Sequence, residues 1–100
     1  MFKKRFFKTI DECEVTFEIE PEQAESVALL IESNDWKPIV MKQLKSGPFK
    51  TKLRLPLDRR IHFRYLIDGQ TWVNDDEADA YEPNEFGETN SIVETYRDDS

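Results

Sequence analysis

A two-residue alternation between apolar and polar side chains is the feature that most constrains how this chain can fold. Three stretches show it, at residues 13–20, 49–55 and 61–67. Successive side chains of a β-strand point to opposite faces, so such a stretch buries one face and leaves the other in water. The pattern therefore predicts three half-buried strands. No segment of useful length has the helical spacing of three and four residues.

The remaining segments also favour strands and turns. Residues 26–31 are apolar on both faces, which predicts a well-covered central strand. A short strand is expected within 39–43 and a closing strand over 91–96. The stretch 74–87 is long and acidic, and its irregular pattern predicts a loop.

About seven short strands separated by turn signals, without an internal repeat, predict an all-β domain built as an immunoglobulin-like sandwich. A chain of 100 residues has the size of one domain. We therefore expect a single core between two sheets. The alternation assigns eight side chains to it: Val15, Phe17, Val27, Leu29, Leu53, Phe63, Tyr65 and Ile67.

The domain is expected over residues 13–96, after a basic and aromatic segment at 1–12 and before a disordered tail at 97–100. The first segment interleaves four cations with three phenylalanines. Such a segment can contact an anionic surface, although the net charge of −7 favours a frayed end or a lysine-protected edge strand. Its apolar run is too short for a secretory signal or a membrane span, so we expect cytoplasmic residence.

The composition disfavours several functions. A net charge of −7 repels nucleic acid and anionic membranes, so neither is expected as a partner. Cys13 is the single cysteine and His62 the single histidine, which leaves little for a zinc cluster or Cys-His catalysis. The acidic run at 75–79 lacks the spacing of a calcium loop. We expect no metal, no cofactor and no catalytic activity.

Three short motifs stand in order along the chain. They are Asn34-Asp35-Trp36 after an apolar strand, the run from Phe63 to Gly69 leading to Trp72, and Phe86-Gly87 followed by Asn90. In this order and spacing they resemble the family-48 carbohydrate-binding modules. These are the glycogen-binding early-set domains of glycogen-branching enzymes, isoamylases and the beta subunit of AMP-activated protein kinase.

The resemblance covers residues 15–95. It implies an early-set, immunoglobulin-like fold, as in the domain at the N-terminus of isoamylases. The implied function is non-catalytic binding of an α-glucan such as glycogen, starch or a malto-oligosaccharide. A glucan-active enzyme is then the expected protein partner.

Aromatic and polar side chains would carry that binding. A glucan presents flat apolar faces ringed by hydroxyls, so an indole offers a matching plane while a guanidinium or an amide offers hydrogen bonds. In the resembled family, the positions matching the two tryptophans, the arginine and the asparagine contact the glucan, and an apolar residue matching the phenylalanine presses into it. The candidate residues are Trp36, Arg64, Trp72, Phe86 and Asn90.

Each candidate also has a structural interpretation. The tryptophans can close the ends of a sandwich as half-buried indoles, and Arg64 can pair with a cross-strand carboxylate. The chain departs from the family at 31–33, where Ile-Glu-Ser replaces a glycine-aromatic approach, and it carries an acid at Glu88. The competing hypothesis is a protein-interaction or structural domain without sugar affinity. The two hypotheses differ in whether Trp36 and Trp72 are exposed on one shared surface.

Overall fold

The computed structural model describes residues 2–7 and 9–96, so the expected tail at 97–100 lies outside the described residues. Within them the chain forms ten β-strands and a short 3-10 helix at Glu32–Asn34. No helix in this part of the chain is long and apolar enough to cross a membrane. The strands are β1 (Phe2–Phe6), β2 (Glu12–Ile19), β3 (Val27–Ile31), β4 (Ile39–Val40), β5 (Lys42–Gln43), β6 (Phe49–Pro56), β7 (Arg60–Ile67), β8 (Thr71–Val73), β9 (Ala80–Pro83) and β10 (Thr89–Glu94).

The strands are arranged in two antiparallel sheets. The four-stranded sheet has the order β1-β2-β6-β5, and the six-stranded sheet has the order β4-β3-β7-β10-β9. The sixth strand, β8, pairs with the C-terminal part of β7, whereas β10 pairs with its N-terminal part. The prediction of an all-β sandwich is confirmed.

The core between the sheets is filled by the inward side chains that the alternation selects. Phe17 of one sheet meets Phe63 of the other with ring centroids 5.0 Å apart. Six of the eight predicted core residues are almost completely buried. The other two, Leu53 and Ile67, are partly buried and pack against the core cluster.

The N-terminal segment forms the outer edge of the four-stranded sheet, since β1 pairs only with β2 among the described strands. Phe2 packs against Phe17 and Phe63 with centroid distances of 6.0 and 5.9 Å. The Lys4 Nζ atom reaches across to the Asp79 Oδ2 atom at 2.6 Å. Edge strand β1 is therefore tied to both sheets by apolar packing and one ion pair.

The segment expected as one short strand at 39–43 is split between the sheets. β4 pairs with β3, while β5 pairs with β6 in the other sheet. Met41 lies between them, is buried in the core, and donates its backbone N–H to the Val27 carbonyl at 2.9 Å. The chain thus crosses from one sheet to the other at Met41, whose side chain is part of the core between them.

The stretch expected as an irregular, solvated loop at 74–87 contains β9 and a buried carboxylate. The Asp75 side chain accepts hydrogen bonds from the Tyr65 hydroxyl at 2.9 Å and from the Glu77 backbone at 2.8 Å. The Asp75 backbone donates to the Ser91 hydroxyl at 2.9 Å. This network fastens the segment to β7 and β10. The hydrophobic pattern did not predict this structure for two reasons. Strand β9 has only four residues, and the residue that anchors the segment, Asp75, is polar.

We expect Phe17→Ala to destabilise the domain by roughly 3 to 5 kcal/mol, because removing a fully buried ring leaves a cavity between the sheets. Urea denaturation measures this loss. As a control, Tyr96→Ala removes an exposed aromatic ring and should have a small effect. An unchanged midpoint for Phe17→Ala would contradict the packing described here.

Tyr65 gives the stability a dependence on alkaline pH. Burial raises the pKa of Tyr65, and the neighbouring Asp75 charge and hydrogen bond raise it further. An unfolded tyrosine ionises near pH 10, so above about that pH the folded state holds one more proton than the unfolded state. Stability then falls by about 1.4 kcal/mol per pH unit from this group.

Tyr65→Phe removes this ionisation, so between about pH 9 and about pH 11 the variant should lose less stability than the wild type. Urea titrations at a series of pH values measure the two slopes. The variant is expected to be less stable at neutral pH because it lacks the hydrogen bond to Asp75. Equal slopes would show that Tyr65 ionises alike in both states.

Candidate functional site

The outward face of the six-stranded sheet forms the floor of a groove of about 720 Å³. β3 contributes Leu30, β7 contributes His62 and Arg64, and β10 contributes Asn90. Leu30 lies directly opposite Arg64 in the pairing of β3 with β7. These side chains alternate with core residues along their strands, so the strand period that builds the core also builds this floor.

One rim of the groove carries Trp36 on the turn that follows β3. Asp35 and Trp36 both have left-handed backbone conformations, with φ of 55° and 58°. The Trp36 N–H donates to the Ile31 carbonyl at 3.0 Å, which holds the turn against the end of the strand. A bulky residue in this region is strained by about 1 to 2 kcal/mol. The turn places the indole at the groove, where Trp36 is 37% exposed.

A second indole stands beside the floor, because Trp72 of β8 is directly opposite Leu66 of β7. It is 44% exposed. The Arg64 Cζ atom lies 5.0 Å from the centroid of the Trp72 ring. This contact is a cation–π interaction, in which the guanidinium is attracted by the electron-rich face of the ring.

The opposite rim is the loop between β9 and β10, and Asn84 organises it. The Asn84 Oδ1 atom accepts hydrogen bonds from the backbone N–H groups of Phe86 at 2.9 Å and Glu88 at 3.1 Å. The Asn84 N–H also donates to the Glu88 carbonyl at 2.8 Å. Gly87 has φ of 78°, a conformation suited to glycine. The loop presents the Phe86 ring to solvent, 81% exposed.

A chain of polar side chains links the floor to this loop. The Asn84 amide nitrogen donates to the Asn90 Oδ1 atom at 3.3 Å, and the Asn90 amide nitrogen donates to His62 Nδ1 at 3.2 Å. His62 Nε2 then donates to the Glu82 carboxylate at 3.2 Å. An amide nitrogen only donates, so His62 Nδ1 accepts the hydrogen bond from Asn90. The proton of neutral His62 is therefore on Nε2. Asn90 is only 5% exposed, so its amide positions neighbouring groups.

The electrostatics of the groove are dominated by carboxylates. Glu32, Glu85 and Glu88 line it, and Arg64 is the one lysine or arginine among the described lining residues. The Arg64 Nη1 atom donates to the Glu88 Oε2 atom at 2.5 Å. In the described part of the chain, no group of three or more His, Cys, Asp or Glu side chains is arranged to hold a metal ion.

The structure brings all five sequence-predicted site residues to this one groove: Trp36, Arg64, Trp72, Phe86 and Asn90. Both tryptophans are exposed there, whereas the asparagine is buried at the floor. Sequence reasoning missed His62, Asn84 and Glu32 as groove residues. Alternation put His62 on the same face as Arg64, which was a signal for the first. Glu32 lies in the short 3-10 helix and Asn84 in the loop between β9 and β10, and the alternation of a strand does not predict where such connecting segments point.

No protein-family model matches the chain. No curated protein matches it either. The similarity to family-48 carbohydrate-binding modules therefore stays a prediction made from three short motifs.

We expect Asn84→Ala to loosen the loop that carries Phe86, because two backbone N–H groups lose their shared acceptor. Amide hydrogen exchange at Phe86 and Glu88 should become faster, and the loss of stability should be about 1 kcal/mol. Asn84→Asp is the matched control, since it keeps the acceptor oxygen and should keep the protection. Exchange in Asn84→Ala that is as slow as in the wild type would show that the side chain does not hold the loop.

Proposed function

We propose that this domain binds α-glucan chains without catalysis, in the groove on the outer face of the six-stranded sheet. The observation that carries the proposal is that Trp36 and Trp72 are both exposed and line the same groove. Two indoles that merely closed the ends of the sandwich would not need to share a surface. Their arrangement supports the glucan hypothesis over the structural one.

The chemistry of the groove suits a sugar. Indole rings offer broad, rigid apolar surfaces that stack on the C–H faces of pyranose rings at low entropic cost. Phe86, on the opposite rim, adds a third aromatic ring that a curved glucan can enclose. Carboxylates and the guanidinium of Arg64 supply acceptors and donors for the hydroxyls around the sugar rings. Asn90 contributes indirectly, by fixing His62 and the Phe86 loop.

The affinity should be modest. Each polar contact exchanges a hydrogen bond to water for one to sugar and contributes only about 0.5 to 1.5 kcal/mol. Aromatic stacking on an open groove supplies most of the rest. Dissociation constants on the order of a millimolar correspond to about 4 kcal/mol, which these contacts can provide. A module of this kind serves a catalytic partner by concentrating it on a polymer with many sites.

Further expectations accompany the proposal. The natural ligand would be glycogen, starch or a malto-oligosaccharide, and the natural protein partner a glucan-active enzyme. The domain would act in the cytoplasm, where a reducing environment keeps a single buried cysteine such as Cys13 as the thiol.

Titration with maltoheptaose or β-cyclodextrin at millimolar concentration tests the proposal. We expect both indole N–H signals to shift in NMR spectra, because both rings contact the ligand. Trp72→Ala should abolish measurable binding, whereas Arg64→Ala should weaken it less. Tyr96→Ala, which removes an exposed aromatic ring outside the groove, should bind as the wild type does.

Trp36→Gly separates binding from folding. Glycine adopts the positive φ of this position without strain, so the variant should keep or gain stability while losing glucan binding. Thermal denaturation and the same titration measure the two effects. If neither indole signal moves in the wild type, the glucan proposal fails and a protein-interaction domain takes its place.

A further inference from the structure

The positively charged side chain of the groove, Arg64, already contacts two other side chains of the protein. Arg64 projects from β7 with its guanidinium against the Trp72 ring and its Nη1 atom hydrogen-bonded to the Glu88 carboxylate. Its side chain is only 13% exposed. A charge-assisted hydrogen bond of this kind is stronger than one between neutral groups. Any ligand that uses the positive charge of Arg64 must therefore compete with Glu88.

Hydrogen bonds to Asn84 hold the backbone of Glu88 beside Arg64. The Glu88 N–H donates to the Asn84 side chain and its carbonyl accepts from the Asn84 N–H. Glu85 lies three residues earlier on the same loop and lines the same groove. No hydrogen bond or ion pair of Glu85 is formed within residues 2–7 and 9–96. The loop thus carries one carboxylate engaged with Arg64 and one that is not.

This arrangement treats charged and uncharged sugars differently. A hydroxyl needs only a donor or an acceptor, and carboxylates accept its hydrogen bond readily. A phosphate or carboxylate on a sugar needs a free cation, and it meets three carboxylates along the groove with one neutralised arginine. Like charges brought together in a partly desolvated groove repel each other strongly.

The geometry points to Glu88 as a specificity-determining residue that restricts the groove to uncharged saccharides. By neutralising Arg64, it excludes sugars that carry phosphate or carboxylate groups. This inference rests on the proposed glucan function, which it deepens by naming the class of sugar. Glu88 thus affects which sugars bind by neutralising the charge of Arg64.

The test compares maltoheptaose with a malto-oligosaccharide of the same length carrying one 6-phosphate. Wild-type protein should bind the phosphorylated sugar about tenfold more weakly. In Glu88→Gln, which keeps the shape of the side chain but removes its charge, the difference should fall to about threefold or less. Glu85→Gln removes the same charge from the same loop and should keep most of the discrimination.

Two results of this comparison would overturn the inference. One is equal binding of both sugars by the wild type. The other is an equal loss of discrimination in Glu88→Gln and Glu85→Gln, which would indicate a general effect of groove charge. Melting temperatures of the two variants check that each remains folded.

Inorganic phosphate provides a readout that does not depend on glucan binding. At low ionic strength, the Arg64 Nε–H and Trp72 indole signals should shift on titration of Glu88→Gln with phosphate and stay unmoved in the wild type. The double variant Arg64→Gln with Glu88→Gln should lose this response, because the cation itself is gone. If maltoheptaose binds to no variant while phosphate binds only to Glu88→Gln, the glucan function fails and the charge control by Glu88 stands. A phosphate response that is the same in wild type and Glu88→Gln would show that Glu88 does not restrict the access of anions to Arg64.

Discussion

Strand β7 is constrained on both faces and both edges, and the rest of the structure depends on its register. Phe63 and Tyr65 point into the core, while His62 and Arg64 point into the groove. A slip of one residue would exchange these two sets and bury the guanidinium. Because an unpaired charge in an apolar core is far more unfavourable than an exposed ring, this alternative is excluded. The requirement that packs the core therefore also fixes the groove floor.

The rims of the groove are turns held by polar contacts, whereas the floor is fixed by the packing of the core. Trp36 keeps its position through two consecutive left-handed residues, and Phe86 through the side chain of Asn84. Hydrogen bonds from Asn84 through Asn90 to His62 connect one rim to the floor. Such loops on a rigid sheet can vary their exposed side chains without disturbing the core. The exposed rings thus form the surface of the rims, while the amides of Asn84 and Asn90 hold one rim in place.

Prediction from sequence was accurate where the hydrophobic pattern was long. Eight-residue strands such as β2 and β7 show four alternations, and the inward and outward faces of both strands were assigned correctly. Shorter elements were missed or merged, as with β9 and the crossing at Met41, because two to four residues carry too little pattern. Asp75 was misjudged for another reason. A carboxylate that is buried through hydrogen bonds to Tyr65 looks in sequence like any other acid of a solvated loop.

The pattern of residues along the chain is enough to predict the fold class, the inward and outward faces of the long strands, and two tryptophans next to turn signals. Three features become visible only in the folded domain: Trp36, Trp72 and Phe86 share one groove, Asn90 is buried, and Glu88 forms an ion pair with Arg64. The difference lies in how far apart along the chain the interacting residues are. Alternation is a local consequence of backbone geometry, whereas ion pairs and shared grooves depend on distances between segments far apart in the chain. Those distances are set when the sheets pair and pack.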